Sequence, residues 1–335
     1  MVKANYSAWH INPKDFSNGW TDIEKLQFFA RYAILAPSGH NTQPWQFQRR
    51  GESLVLGVNP QRELPFSGAL AAEPYVSLGT CSETLRLAAL GFGFGVDLYY
   101  KLDKKTEVET SVRGRLVPQP DLLKAIAERT SNRSLYKDKA LPPELLKDIV
   151  KNEFNDLHVW RTRDKQSVDF LARQTKAATE TIMSNAEFRA ELSKWVRNNV
   201  TKQYDGMPAF TQGMPTPPSL IARHIIKHVN IAKGQAKTDA KRLKHSAEVI
   251  LICVKRSGPK AYLDAGRLFA RICVLAQSHG IASSGVGAAV IDPQAKQNVA
   301  EHFKLTEVPT ALIRLGYATK KAKHTPRWPL EKVLT

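Results

Sequence analysis

Cysteine is scarce in this chain: 335 residues hold three, Cys81, Cys253 and Cys273, far apart and each inside an apolar run. That excludes a disulfide framework and a CxxC metal site, and marks the three as buried structural thiols. Long apolar runs are missing too. No stretch of eighteen or more apolar residues occurs, and the opening segment MVKANYSAWHINPKDFSNGW lacks the basic-then-apolar order of a secretory signal. A soluble, cytoplasmic protein with no membrane partner is expected. Acidic residues are outnumbered, 31 Asp and Glu against 49 Lys and Arg, which leaves a net charge of +18. Such a field attracts phosphates and nucleic acids indiscriminately. The basic stretches carry neither the aromatic interleaving of an RNA-binding sheet nor zinc-finger spacing, so solvated basic faces explain them better than a nucleic-acid surface. The chain also lacks a G-x-G-x-x-G turn opening a βαβ unit, a Walker loop, a G-x-S-x-G elbow and an H-E-x-x-H helix. Its nine histidines show no metal spacing, so no metal ligand and no catalytic acid or base is assigned.

What is present is a globular composition, 42% hydrophobic, in a length that suggests about two domains. Periodicity predicts a helix over 22–36, strands near 45–50 and 53–58, and a long helix over about 72–91. Extended stretches GVDLYYKL and TEVETSVRGRLV follow, then a short helix PDLLKAIAER and a helix LPPELLKDIVKN opened by prolines. A strand DLHVWRTR and amphipathic helices over 165–198 precede YDGMPAFTQGMPTPPS, a Gly/Pro/Met-rich insertion read as irregular and lid-like. The last third reads strand AEVILICVK, helices over 260–279 and 293–303, strand PTALIRLGY and a basic tail.

Set without a gap, PYVSLGTCSETLRLAALGFGFG (74–95) matches AYLDAGRLFARICVLAQSHGIA (261–282): Tyr75 falls on Tyr262, Gly79 on Gly266, Ala89 on Ala276 and Gly93 on Gly280. Small residues on one stripe and Gly at the end suit close helix packing and a left-handed cap. Two copies of one module would explain the match, and so would the ordinary likeness of two amphipathic helices.

Four groups of residues carry chemistry. The loop APSGHNTQPW (36–45) crowds hydroxyl and amide side chains between two prolines, either as a preformed polar clasp for a ligand or as a heavily capped helix end. His40 within it reads as a residue that hydrogen-bonds backbone rather than as a catalyst. In ERTSNRSLY, Arg129, Ser131 and Arg133 alternate; in extended backbone they converge on one anion, and in a turn they merely face solvent. Arg327 sits between prolines in HTPRWPLEKV, where little freedom is lost on binding a phosphate. Small residues in IASSGVGAAV allow either contact with a flat ring or close sheet packing.

Together the four groups resemble the flavin-dependent nitroreductase superfamily, with its Pro-Ser-x-x-Asn-x-Gln-Pro-Trp loop, Arg-x-Ser-x-basic segment, LPPELL-like helix, Gly-ended central helix and Gly-Tyr…Arg-x-Pro-Leu tail. The order here is altered: the loop lies in the first part of the chain, the arginine segment in the second. Because family sites form between two subunits, this order resembles the Acg-like branch, in which one chain is a fused dimer. The resemblance implies an α+β, nitroreductase-like fold in two tandem copies, 1–121 and 122–335, with a lid at about 199–218. It implies one FMN site. Arg129, Ser131, Arg133 and Arg327 would hold the phosphate and ribityl chain. Pro37, Ser38, Asn41 and Gln43 would clasp the ring edge, with Gly287 and Ala288 beside the ring, although the family often has an acidic residue where Gly287 aligns. The implied activity is NAD(P)H-dependent two-electron reduction of a small nitro or quinone acceptor by a monomeric pseudo-dimer or weak homodimer, and the rival is a flavin-storage protein with a closed lid.

Overall fold

The structure is a computed structural model that describes residues 3–68, 72–103, 105–151 and 153–335. Its first α-helix, Asp22–Ala33, begins where the sequence supplies a reciprocal cap. Thr21 Oγ1 accepts the Glu24 amide (3.4 Å), and the Glu24 carboxylate accepts the Thr21 amide (2.8 Å). Leu26, Phe29, Ala30 and Ala33 form its buried stripe at helical spacing. The next strand, Trp45–Arg50, starts on the two-residue period, burying Trp45 and Phe47 and exposing Gln46 and Gln48. It edges a four-stranded antiparallel sheet in the order Trp45–Arg50, Ser53–Val58, Glu107–Arg115, Phe94–Lys101.

A second antiparallel sheet runs Ala282–Gly285, Val308–Ala318, Glu248–Val254, Leu157–Thr162, with the short strand Tyr136–Lys137 also paired to Val308–Ala318. Every residue of Glu248–Val254 is buried, because helices cover both faces. Ile250, Ile252 and Val254 pack with Leu268 and Ile272 of helix Pro259–Ser278. Val249, Leu251 and Cys253 pack with Leu171 of helix Lys165–Ser184 and Leu243 of helix Ala232–Lys244. A strand covered on both faces is apolar without alternation, as VILICV is. The three cysteines are all buried.

Between the sheets, helix Glu73–Gly91 packs against helix Pro259–Ser278 with backbones almost touching. A Cβ on Gly79 would lie 2.1 Å from the Leu263 carbonyl oxygen, and one on Gly266 would lie 2.1 Å from that of Val76. The two contacts exchange under the 187-residue offset seen in the sequence, since 76 maps to 263 and 79 to 266. Tyr75 and Tyr262, equivalent in the same alignment, meet with ring centres 6.4 Å apart. Reciprocity of this kind is what a two-fold axis produces. One turn beyond, fully buried Glu83 bridges Arg86 (2.7 Å), Arg267 (3.0 Å) and Arg271 (2.9 Å). Burial would raise its pKa, but the three guanidiniums outweigh that and hold it at about 2. The last residues return to the first sheet: Phe47 donates its amide to the Val333 carbonyl (2.7 Å), and Thr335 donates to that of Phe47 (2.8 Å).

Several expectations need correction. The first helix stops at Ala33, and 34–36 form turns. The helix expected to reach 152 ends at Val150, and Asn152 lies outside the described residues. The insertion is not wholly irregular, because Met207–Pro208 pairs with Val196–Arg197 and Ala209–Gln212 forms a 3-10 turn. Helices Ala222–His228 and Ala232–Lys244 were not anticipated.

The helix crossing yields a stability test. Gly266→Ala forces a methyl into the Val76 backbone, which cannot swing aside as a side chain can, and is expected to destabilise the protein by about 3 kcal/mol. Urea unfolding measures it; a loss below about 0.5 kcal/mol would show that the helices have room to separate.

Candidate functional site

The loop that follows the first helix is held in an uncommon conformation. His40, Asn41 and Gln43 have φ of +47°, +57° and +53°, three of the four non-glycine residues with positive φ among those described. Left-handed backbone costs on the order of 1 kcal/mol or more at each such position, so the surroundings must impose it. They do so through the polar side chains. Ser38 Oγ accepts the Gln43 amide (3.0 Å), and the buried Glu73 carboxylate accepts the Gly39 amide (2.8 Å). Asn41 Nδ2 donates to the carbonyls of Gly206 (2.9 Å) and Pro326 (3.1 Å), while its Oδ1 accepts from Arg327. Gln43 Nε2 donates to the Tyr204 carbonyl (2.8 Å), and its Oε1 accepts the Trp328 amide (2.9 Å). The loop thus ties the insertion at 204–206 to the tail at 326–328.

Beside it opens a cleft of about 700 Å³, which meets an inner cavity of about 280 Å³; His40, Arg133 and Met207 line both. Among the residues singled out from the sequence, Pro37, Ser38, Asn41, Arg129, Ser131, Arg133 and Arg327 line the cleft. Gly287 and Ala288 line the inner cavity. Gln43 lines neither and is wholly buried, so its amide serves the loop's shape. The arginine segment runs along the second sheet: Ser131 bridges Ser283, and Asn132 donates its amide to the Ser283 carbonyl (2.9 Å).

The charges around the cleft are unbalanced. Arg129 and Arg327 are 5% and 2% exposed, and the hydrogen bonds described for them go to neutral acceptors: the Leu35 carbonyl takes one from each at 3.3 Å, and Ala36 takes another from Arg327 at 3.2 Å. Among the described residues, half-buried Arg133 reaches only the Met207 sulfur, at 3.9 Å. Among the described residues none of the three forms an ion pair, no Asp or Glu lines the cleft, and Arg327 Nε has no partner. Burial lowers the pKa of all three; nearby Arg129 lowers that of Arg327 further, and Arg242 that of Arg133. Buried cations without a counter-ion are unfavourable by several kcal/mol, and a multiply charged oxyanion with lone pairs for each fork relieves that. The donor set therefore fits a phosphate.

Sequence reading missed three inner-cavity residues. Arg314 is 1% exposed, and two of its nitrogens lack partners. Its signal was there, since a charge inside PTALIRLGY is rarely buried without a role. Thr175 and Thr179, one turn apart on helix Lys165–Ser184, also present unpartnered hydroxyls. Nothing distinguished them from other polar positions of an amphipathic helix.

No protein-family model matches the chain. It is similar to two Mycobacterium tuberculosis proteins named as NAD(P)H nitroreductases, MT3217 of strain CDC 1551 / Oshkosh and Rv3131 of strain H37Rv. Each is 22% identical over 323 residues, covering 95% of this chain and 92% of the relative. Among solved structures, a nitroreductase with bound FMN from Desulfitobacterium hafniense DCB-2 aligns with a TM-score of 0.40 at 18% identity, over 64% of this chain and 97% of that one. An NADPH:FMN oxidoreductase from Vibrio harveyi complexed with NAD+ gives 0.38 at 13% identity, over 63% and 74%.

Two histidines at the cleft give it a pH signature. Burial, then the Arg133 charge, lowers the His40 pKa to about 4; burial, then Arg129 and Arg327, does the same for His324. Between pH 6.5 and 4 the unfolded chain takes up protons that the folded protein refuses, so stability is intact above that window and is lost as pH falls through it. The expected loss is about 2 kcal/mol for each histidine, allowing for partial exposure. Urea midpoints at pH 7 and 4.5 check this: the His40→Gln/His324→Gln protein should lose less than wild type, and an equal loss would assign the sensitivity elsewhere.

Proposed function

We propose that the chain is a member of the nitroreductase superfamily, an FMN-binding, NAD(P)H-dependent oxidoreductase that reduces small nitro or quinone compounds by two electrons, in keeping with its similarity to the two mycobacterial proteins. The observation that carries this reading is the set of guanidiniums without an ion pair, buried Arg129 and Arg327 and half-buried Arg133, at a cleft that meets an inner cavity. In this assignment Arg129, Ser131, Arg133 and Arg327 hold the phosphate and ribityl chain. Pro37 and Ser38 bound the ring, Gly287 and Ala288 lie beside it, and Asn41 and Gln43 act by fixing the loop. Bound FMN would supply the electron transfer; the protein orients it and excludes water.

We further propose that residues 1–121 and 122–335 are two fused modules forming a single-chain pseudo-dimer of the Acg-like type with one complete site. The reciprocal contacts of Gly79 and Gly266 support it. So does the return of the tail to the first sheet, and the presence of the loop in one half and Arg129 in the other.

One observation favours the storage reading. The insertion, whose Met207, Ala209, Thr211, Gln212 and Met214 line the inner cavity, is fastened over 201–204: Asn5 Nδ2 donates to the carbonyls of Thr201 (3.1 Å) and Gln203 (2.9 Å), and Tyr204 stacks on Trp328 at 4.9 Å. Anaerobic addition of NADPH and then NADH to the FMN-loaded protein separates the two. Bleaching that reverses with a nitroaromatic or quinone is expected of the oxidoreductase, and a flavin band that persists indicates storage. Absence of any band after reconstitution with FMN overturns both. Arg129→Ala is expected to weaken FMN binding about 10- to 100-fold, the equivalent of one charge-assisted hydrogen bond of about 1.5–3 kcal/mol. Titration by flavin fluorescence reads this, and unchanged affinity would remove Arg129 from the phosphate site.

A further inference from the structure

The inner cavity contains a charge that the phosphate assignment leaves unused. Arg314 lies mid-strand in Val308–Ala318, in register with Ser284 on one side and Val249 on the other. One terminal nitrogen, Nη2, donates to the Ser134 carbonyl (2.6 Å), and the guanidinium carbon stands 3.8 Å from the centre of the Tyr136 ring. Nε and Nη1 are buried without partners, and among the described residues no carboxylate pairs with this side chain. Asp239 and Arg242, which also line the cavity, pair with each other at 3.2 Å. The strand holds a nearly dry cation facing a cavity, with three N–H groups on two nitrogens to spare.

Resting on the assignment of this cavity to the isoalloxazine ring, we propose that Arg314 sets the redox balance of the bound flavin, stabilising the reduced, anionic ring over the oxidised, neutral one. Two electrons and one proton pass from the nicotinamide donor, which is oxidised, to the ring, which gains one negative charge. A fixed guanidinium in a poorly solvated cavity interacts more strongly with that charge than with the neutral ring, and the difference appears as a raised potential. Tyr136 and the Ser134 carbonyl hold the guanidinium in place, so it does not have to reorganise when the charge arrives.

The test is the midpoint potential of the FMN-loaded full chain, read from dye-equilibrated visible spectra, in wild type, Arg314→Gln and Arg314→Lys. Gln can still donate to Ser134 but carries no charge. Arg314→Gln is expected to keep its FMN, because the phosphate arginines are untouched, and to lose about tenfold in its preference for reduced over oxidised flavin, about 30 mV for a two-electron couple. Arg314→Lys is expected to restore most of that. An Arg314→Gln protein holding FMN at the wild-type potential overturns the inference, whatever its stability. Wild type alone gives a second readout: a bound potential at or above that of free FMN is expected, and one below it overturns the inference even if neither variant folds. Failure of the FMN reading itself looks different, since wild type would then take up no flavin.

Discussion

Two helices approach backbone to backbone only where neither carries a Cβ, and this protein meets that condition at Gly79 and Gly266. Much else follows from the contact. It brings Glu83 of one helix against Arg267 and Arg271 of the other. It also sets the loop that follows the first helix next to the segment that begins at Arg129. The Leu35 carbonyl accepts from both Arg129 and Arg327, so three parts of the chain distant in sequence meet at one backbone oxygen. The site is a consequence of packing at the helix crossing before it is a consequence of any side chain in it.

The two clusters of arginine in the molecule obey opposite rules. At the helix crossing, guanidiniums surround a buried carboxylate, and their attraction outweighs its desolvation, as the low Glu83 pKa shows. At the cleft, buried Arg129 and Arg327 and half-buried Arg133 form no ion pair among the described residues, and their pKa values move the other way. A fold that neutralises buried arginine in one place and does not in another is what the proposed phosphate site would require, the second cluster waiting for a ligand's charge. The overall charge of +18 adds long-range attraction for such a ligand but does not create the site.

Much of the fold was legible in the sequence because local signals agreed with the tertiary outcome. Strands 45–50 and 53–58 fell where expected, since alternation and turn residues coincided. The aligned glycines pointed to helices that pack closely, which they do. Helix Ala232–Lys244 was hidden because its buried stripe is mostly alanine, Ala232, Ala236 and Ala240, amid lysines, so no strong apolar period arises. The direction of side chains was harder still. Asn41 and Gln43 were read as facing a ligand, yet their amides bond the insertion and the tail, and those partners lie more than 160 residues away. Arg314 escaped because its role depends on what the strand faces, which periodicity does not encode.

The same long-range bonds decide how far the covering segment restrains the site. Five hydrogen bonds join its 201–206 stretch to Asn5, Asn41 and Gln43: two between Asn41 and Gly206, one from Gln43 to Tyr204, and two from Asn5. At about 1 kcal/mol net for each, breaking those five costs about 5 kcal/mol, an open fraction for that stretch of at most about one in several thousand. On the proposed assignment, that would keep a bound flavin shielded almost all the time. It does not forbid turnover where reclosing takes microseconds, since so rare a state is then visited about twenty times within the roughly 0.1 s of a typical catalytic cycle; millisecond reclosing would make opening the slow step. Tight closure and catalysis are therefore compatible in this architecture, and the strained loop that fastens the cover is also the wall of the cavity, so any change that relaxes His40–Gln43 loosens both together.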